Sequence, residues 1–191
     1  LTPRILLLGA ALLTALVAPD AGAQKNKGLT FPPTLPDGKE IATDTTDEFL
    51  KAPTGLQSSV AIAKTAPTVD FLFYPGQTYE GKPWSNWGDS LAINGKYYAS
   101  IGDHLAPSGN AFVFEYDPEK KSLRQLAEVK KLLNLPNEHY TPGKIHGRLD
   151  LGDDGWIYFS THRGSPRVTN DQYHYKGDWI LRCNPATGKS E

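Results

Sequence analysis

Four side chains in the C-terminal half have the types and spacing for acid–base or anion chemistry: His146, Arg148, His162 and Arg163. Imidazole changes charge near neutral pH and ligates divalent metals, so two histidines brought together by the fold supply a general base or two metal donors. Guanidinium offers a planar fork of donors that matches a carboxylate or sulfate. Trp87, Asp89, Asp103 and His104 take comparable positions earlier in the chain and are candidates for ligand contact. A plainer alternative exists for each. Histidines at strand ends cap them by hydrogen bonds, and no third metal ligand is in view. Arg148 and Arg163 equally suit bridges to Asp150, Asp153 or Asp89.

None of these residues belongs to a nucleophile, paired-acid or metal motif of known spacing. The Asp150, Asp153, Asp154 group lacks the spacing and terminal Glu of an EF-hand and reads as hairpin chemistry. Cys183 is the only cysteine, which leaves no internal disulfide or thiolate cluster, and no CxxCH stands for covalent haem. Lys and Arg number 20 against 21 Asp and Glu, a net charge of -1, so no overall field holds nucleic acid or an anionic membrane. No cofactor is identified by the sequence; a divalent metal held by the histidines is the one option it offers. Trp84, Trp87, Tyr79, Tyr140, Tyr173 and Tyr175 fall in loops, where exposed rings stack on sugars, so a carbohydrate or small-molecule ligand follows; packing inside the fold is the alternative use of the same rings.

The elements that position these residues are short apolar and aromatic runs between turn signals. Residues 69–74, 90–93, 96–101, 111–116, 148–151, 156–161 and 179–183 each read as a strand. The stretch from Leu123 to Leu135 has helix-compatible spacing, although its first half also reads as a strand after a hairpin.

Internal repetition organises these strands. The segment from Gly88 through Asn94-Gly95 to Ser100 matches the segment from Gly147 through Asp154-Gly155 to Ser160, with one inserted residue. Asn-Gly and Asp-Gly accept the positive φ of a two-residue hairpin. Downstream, Phe112 to Pro118 matches Trp179 to Pro185. Four antiparallel strands repeated at about 60 residues is the pattern of a propeller blade. The strings GDDGWIYFSTHRG, Gly152 to Gly164, and GDWILRCNPATGKSE, Gly177 to Glu191, resemble blades of the extracytoplasmic bacterial β-propellers, the virginiamycin B lyase-like and gluconolactonase-like group. The resemblance covers about residues 85–191 and implies architecture alone.

The expected fold is therefore all-β, a β-propeller fragment of about two four-stranded blades after an extended N-terminal leader. Residues 1–23 carry Arg4, the apolar run Ile5 to Ala18 and a small-residue exit at Ala23, the form of a secretory signal and too short for a span. Residues 24–66, broken by Pro32, Pro33, Pro36 and Pro53, read as a surface leader with a short helical turn at Thr46 to Lys51. Residues 67–191 form the propeller portion. Two blades do not close a ring, and Glu191 falls where the last strand of the second would begin, so the expectation is the N-terminal portion of a longer protein, closed by further blades or a partner chain. The expected location is secreted or periplasmic, with no membrane span in the mature form.

Two functions compete. One is a secreted propeller binding a ligand or partner at the mouth of its channel. The other is a propeller lyase or lactonase acting on a polyanionic sugar, with His146 or His162 as base or metal ligand and Arg148 or Arg163 neutralising the substrate.

Overall fold

The computed structural model describes residues 35, 37–76, 79, 84–86, 88, 90–164 and 169–191. The signal segment, residues 24–34 of the leader, Trp87 and Asp89 lie outside the described residues. The described chain is mostly β, in antiparallel sheets. No helix among the described residues is long and apolar enough to cross a membrane.

The leader contributes a strand. β1 (Ile41–Asp44) pairs with β2 (Val69–Leu72), and between them Thr46 caps a 3-10 turn at Asp47–Leu50 by accepting from Glu48 N. A first four-stranded unit follows: β3 (Leu91–Ile93), β4 (Lys96–Gly102), β5 (Ala111–Asp117) and β6 (Ser122–Glu128), each paired with the next. A second unit holds β7 (Asp150–Leu151), β8 (Ile157–Ser160) and β9 (Ile180–Cys183). After a turn, Cys183 and Ser190 form an isolated bridge, and Glu191 N donates to Arg182 O and Arg182 N to Glu191 O.

The stretch with helical spacing divides. Residues 122–128 join the sheet, and only Val129–Leu133 forms a helix, α1. Pairing with β5 wins because a bulge opposite Val113/Phe114 turns both Leu126 and Ala127 into the core. Asn110 Oδ1 then accepts from Lys130 N in the first turn of α1.

The two units repeat each other in detail. Ser100 pairs with Val113 and Ser160 with Ile180; Tyr98 pairs with Glu115 and Tyr158 with Arg182. The inner chain is kinked alike in both. It pairs first at Ser85↔Gly102 and Ile145↔Thr161, then at Leu91↔Tyr98 and Asp150↔Tyr158, and in each case two more residues lie on the inner side than on the outer. A Cβ on Gly88 would come within 2.8 Å of Ser100 Oγ, and one on Gly147 within 3.0 Å of Ser160 Oγ, so the same close approach calls for glycine twice. The turns after β5 and β9 also match. Asp117 Oδ1 accepts from Glu119 N and Lys120 N, Asn184 Oδ1 accepts from Ala186 N and Thr187 N, and the left-handed residue is Lys121 in one and Gly188 in the other.

One polar cluster is conserved in geometry and reversed in charge. In the first unit Tyr98 OH and Arg124 Nη2 both donate to Glu115 Oε2. In the second Arg182 donates from Nη1 to Tyr158 OH and from Nε to Glu191 Oε1. The paired charges across the strands are kept while their order is swapped.

The core lies between the units. Tyr98, Ala111, Val113 and Leu126 meet Leu149, Ile157, Phe159 and Leu181, all buried. The other face of the first unit, Ile101, Phe112 and Phe114, is covered by Trp84, stacked on Phe112 at 4.3 Å, and by Tyr74. β5 is therefore buried along its whole length. The face of the second unit that corresponds to the Val113 side of the first is open at Ile180. Ile180, the counterpart of fully buried Val113, is 81% exposed.

Candidate functional site

Three connections converge at one end of the sheets: residues 103–110 between β4 and β5, 134–149 between α1 and β7, and the described residues 161–164 and 169–179 between β8 and β9. Backbone bonds tie them together. His104 N donates to Gly143 O, Gly109 N to Thr141 O, His162 N to Lys144 O and Tyr140 N to Tyr173 O.

The two histidines meet at this end. Ile145 and Thr161 face each other across an isolated bridge with both side chains buried. Side chains alternate along extended chain, so commitment of these two to the core sends Lys144, His146 and His162 to the opposite face. The His146 and His162 rings lie edge to face, 5.1 Å between centroids. Gly164 N donates to His162 Nδ1 at 3.0 Å across a tight turn. Burial lowers the His162 pKa, with the Lys144 ammonium next; Asp178 opposes, and His146 and Arg163 add to the lowering. The shift favours the neutral ring. A neutral ring whose Nδ1 accepts a hydrogen bond carries its proton on Nε2, which makes that edge a donor.

The remaining candidates are placed apart from this pair or turned to other uses. Arg163 is exposed in the same loop. Arg148 lies on the surface with Nη2 at 3.5 Å from Asp150 Oδ1, the surface bridge that was its alternative. Asp103 is 2% exposed, and both its oxygens serve the fold: Leu105 N donates to Oδ1, and Asn110 N and Tyr79 OH donate to Oδ2. Burial raises its pKa against the lowering effect of these donors. His104 follows in a left-handed conformation with φ 56 and, with Ala106, Gly143, Lys144 and Gly164, walls a cavity of about 120 Å³ where the three connections meet.

Around this centre the polar groups form a supporting shell. Thr161 Oγ1 accepts from Trp179 N at 2.9 Å and donates to Asp178 Oδ1, and Asp178 Oδ2 accepts from Tyr175 OH. Tyr140 is buried, edge-on to Tyr175 at 5.0 Å, and its hydroxyl has no partner among the described residues. The aromatic residues at this end and at Trp84 thus serve largely as packing. Cys183 is buried on β9, where burial pushes its thiol up to about 12, well away from a nucleophile.

Lys144 is the site residue that the sequence reading passed over. Its signal was the alternation Lys144-Ile145-His146, which places the lysine on the face of the histidine once Ile145 is recognised as core. Among the described residues no three His, Cys, Asp or Glu side chains gather to hold a metal ion. No family model, curated protein or solved structure matches this chain, so the roles of these residues rest on their own geometry.

Proposed function

We propose that the chain is part of an extracytoplasmic β-propeller that binds an acidic saccharide, through its carboxylate or sulfate, at the loop end that carries His146 and His162. The observation that carries this reading is the cluster itself: His162, whose Nδ1 accepts from Gly164 N, near the cations of Lys144 and Arg163, with Lys144 and Gly164 also walling a cavity of about 120 Å³. Donors and cations around a small cavity suit an oxyanion. The propeller reading draws support from the repeat: the face of the first unit that packs on the second reappears, uncovered, on the second unit. Secretion rests on the form of residues 1–23.

A lyase or lactonase would use the same pair differently. With Gly164 N bound at Nδ1, His162 lacks a lone pair for a proton or a metal at Nε2, which favours binding over catalysis.

The test is calorimetric titration with oligogalacturonate and a neutral oligosaccharide of equal length. The acidic ligand binds, the neutral one does not, and affinity falls with added salt. His162→Ala and Lys144→Ala each weaken binding about tenfold or more, the range for a hydrogen bond to a charged group. Equal affinity for both sugars, or binding indifferent to both substitutions, overturns the proposal.

A further inference from the structure

The sheet of β1 and β2 has an open edge that faces a cavity. Phe73 N donates to Glu40 O, which continues the β1–β2 ladder, so the N–H and C=O groups of Asp70 and Leu72, from non-hydrogen-bonded pairs, point from the opposite edge of β2. Among the described residues no strand pairs with that edge. On the same side lies a cavity of about 710 Å³, walled by Asp70, Leu72 and Tyr74 and by Ile93, Tyr97 and Tyr116 of the first unit; no residue of β1 lines it.

The interface between the two units shows how such a place is filled. β2 lies against the first unit as β6 lies against the second. Lys121, in the turn after β5, donates to Asp70; Arg124 of β6 donates to Pro185 O in the turn after β9. Each of these outer strands then leads into the inner strand of the unit it covers. The difference is on the inner side. β6 has β5 beside it, with Ala111 and Val113 filling the interface, whereas β2 has the cavity.

We infer that the open edge of β2 accepts one further β-strand, the counterpart of β5 and β9 in a unit whose outer strand is β2. The choice of occupant rests on the stacked-unit reading given above. The incoming strand is antiparallel to β2, turns small or apolar residues toward Ile93 and Tyr97, and carries a basic residue opposite Asp70. That last requirement follows from the two units in hand, where the outer-strand charge at this position is matched across the ladder: Arg124 by Glu115 and Glu191 by Arg182. Strand addition of this kind gains main-chain hydrogen bonds from the edge and register from alternate side chains.

The probe is a peptide with the sequence of residues 178–184, Cys183 replaced by Ser, which places Arg182 at the matching position. It is added at millimolar concentration to the labelled full chain and followed by amide exchange and chemical shifts. The expected result is new protection of the Leu72 amide together with shifts at Ile93 and Tyr97. A peptide with Arg182→Glu binds about fivefold or more weakly, the range for reversing a cross-strand charge pair. Leu72→Pro removes the edge donor without touching the β1 ladder and abolishes the peptide-induced shifts at Ile93 and Tyr97, its fold checked by the unchanged β1–β2 amides; Asp70→Asn erases the preference for arginine. The inference is overturned by a Leu72 amide already protected in the chain alone, by absence of binding, by binding that survives Leu72→Pro, or by shifts at Ile93 and Tyr97 without Leu72 protection, the mark of a small apolar ligand. If these fail while Val113 and Ile180 respond as set out below, the strand site falls and the stacked units stand.

Discussion

Val113 and Ile180 hold the same position in the two units, each paired with the equivalent serine, and differ in what covers them. Val113 is 0% exposed and Ile180 81%. Val113→Ala removes two buried carbons at about 0.8 kcal/mol each and leaves a gap in a core shared by both units, for a total cost of about 2–3 kcal/mol. Ile180→Ala removes more carbon, but only about a fifth of the side chain is buried, so the cost is about 0.5 kcal/mol. Urea unfolding of the full chain, followed by tryptophan fluorescence, measures both. At a slope of about 2 kcal/mol/M the first variant loses about 1 M or more in midpoint and the second about 0.25 M, with slopes unchanged. Equal losses refute the reasoning, because they mean that Ile180 is covered within the molecule. A neutral Val113→Ala refutes it from the other side, because the core between the units is then not what holds them.

Two further outcomes follow. Lys121, Thr43 and Tyr116 hold the Asp70 carboxyl at about 2. At Glu115 burial alone acts upward, but the hydrogen bonds from Arg124, Lys96 and Tyr98 outweigh it, and the net shift is down. Both folded values lie below the unfolded ones, so their stabilisation is complete above about pH 4.5 and is lost as pH falls toward about 2, a decline that urea midpoints across this window detect and that Glu115→Gln makes shallower. Asp103→Ala leaves Asn110 N, Leu105 N and Tyr79 OH without their acceptor and destabilises by about 2–4 kcal/mol, against about half that for Asp103→Asn, which keeps one accepting oxygen; thermal unfolding compares the two.

The repeat was legible because its signals are local. Asn94-Gly95 takes two positive φ values as its hairpin demands, Asp154 and Gly155 shape the matching turn, and Asp117 and Asn184 close equivalent loops with their own side chains. Such geometry depends on the residues within a turn and on little else, so seven strands fell close to where their patterns put them. For residues 122–133 the sequence left helix and strand both open for the first half, since a short helix and a strand with a bulge share the same apolar spacing until β5 is present to pair with one of them.

The same division runs through the site. Residue types alone singled out His146 and His162, and diagonal placement across one bridge between two buried residues, Ile145 and Thr161, brings their rings together. Asp103 carries the same chemical promise in the sequence, but the tertiary fold encloses it and spends its oxygens on loop amides. Lys144 was ordinary until Ile145 went into the core and set its direction. Turn chemistry and strand pattern are properties of neighbours along the chain; burial, and with it the pKa of His162 and the exposure of Ile180, is a property of whatever lies across from them, which only the packed units determine.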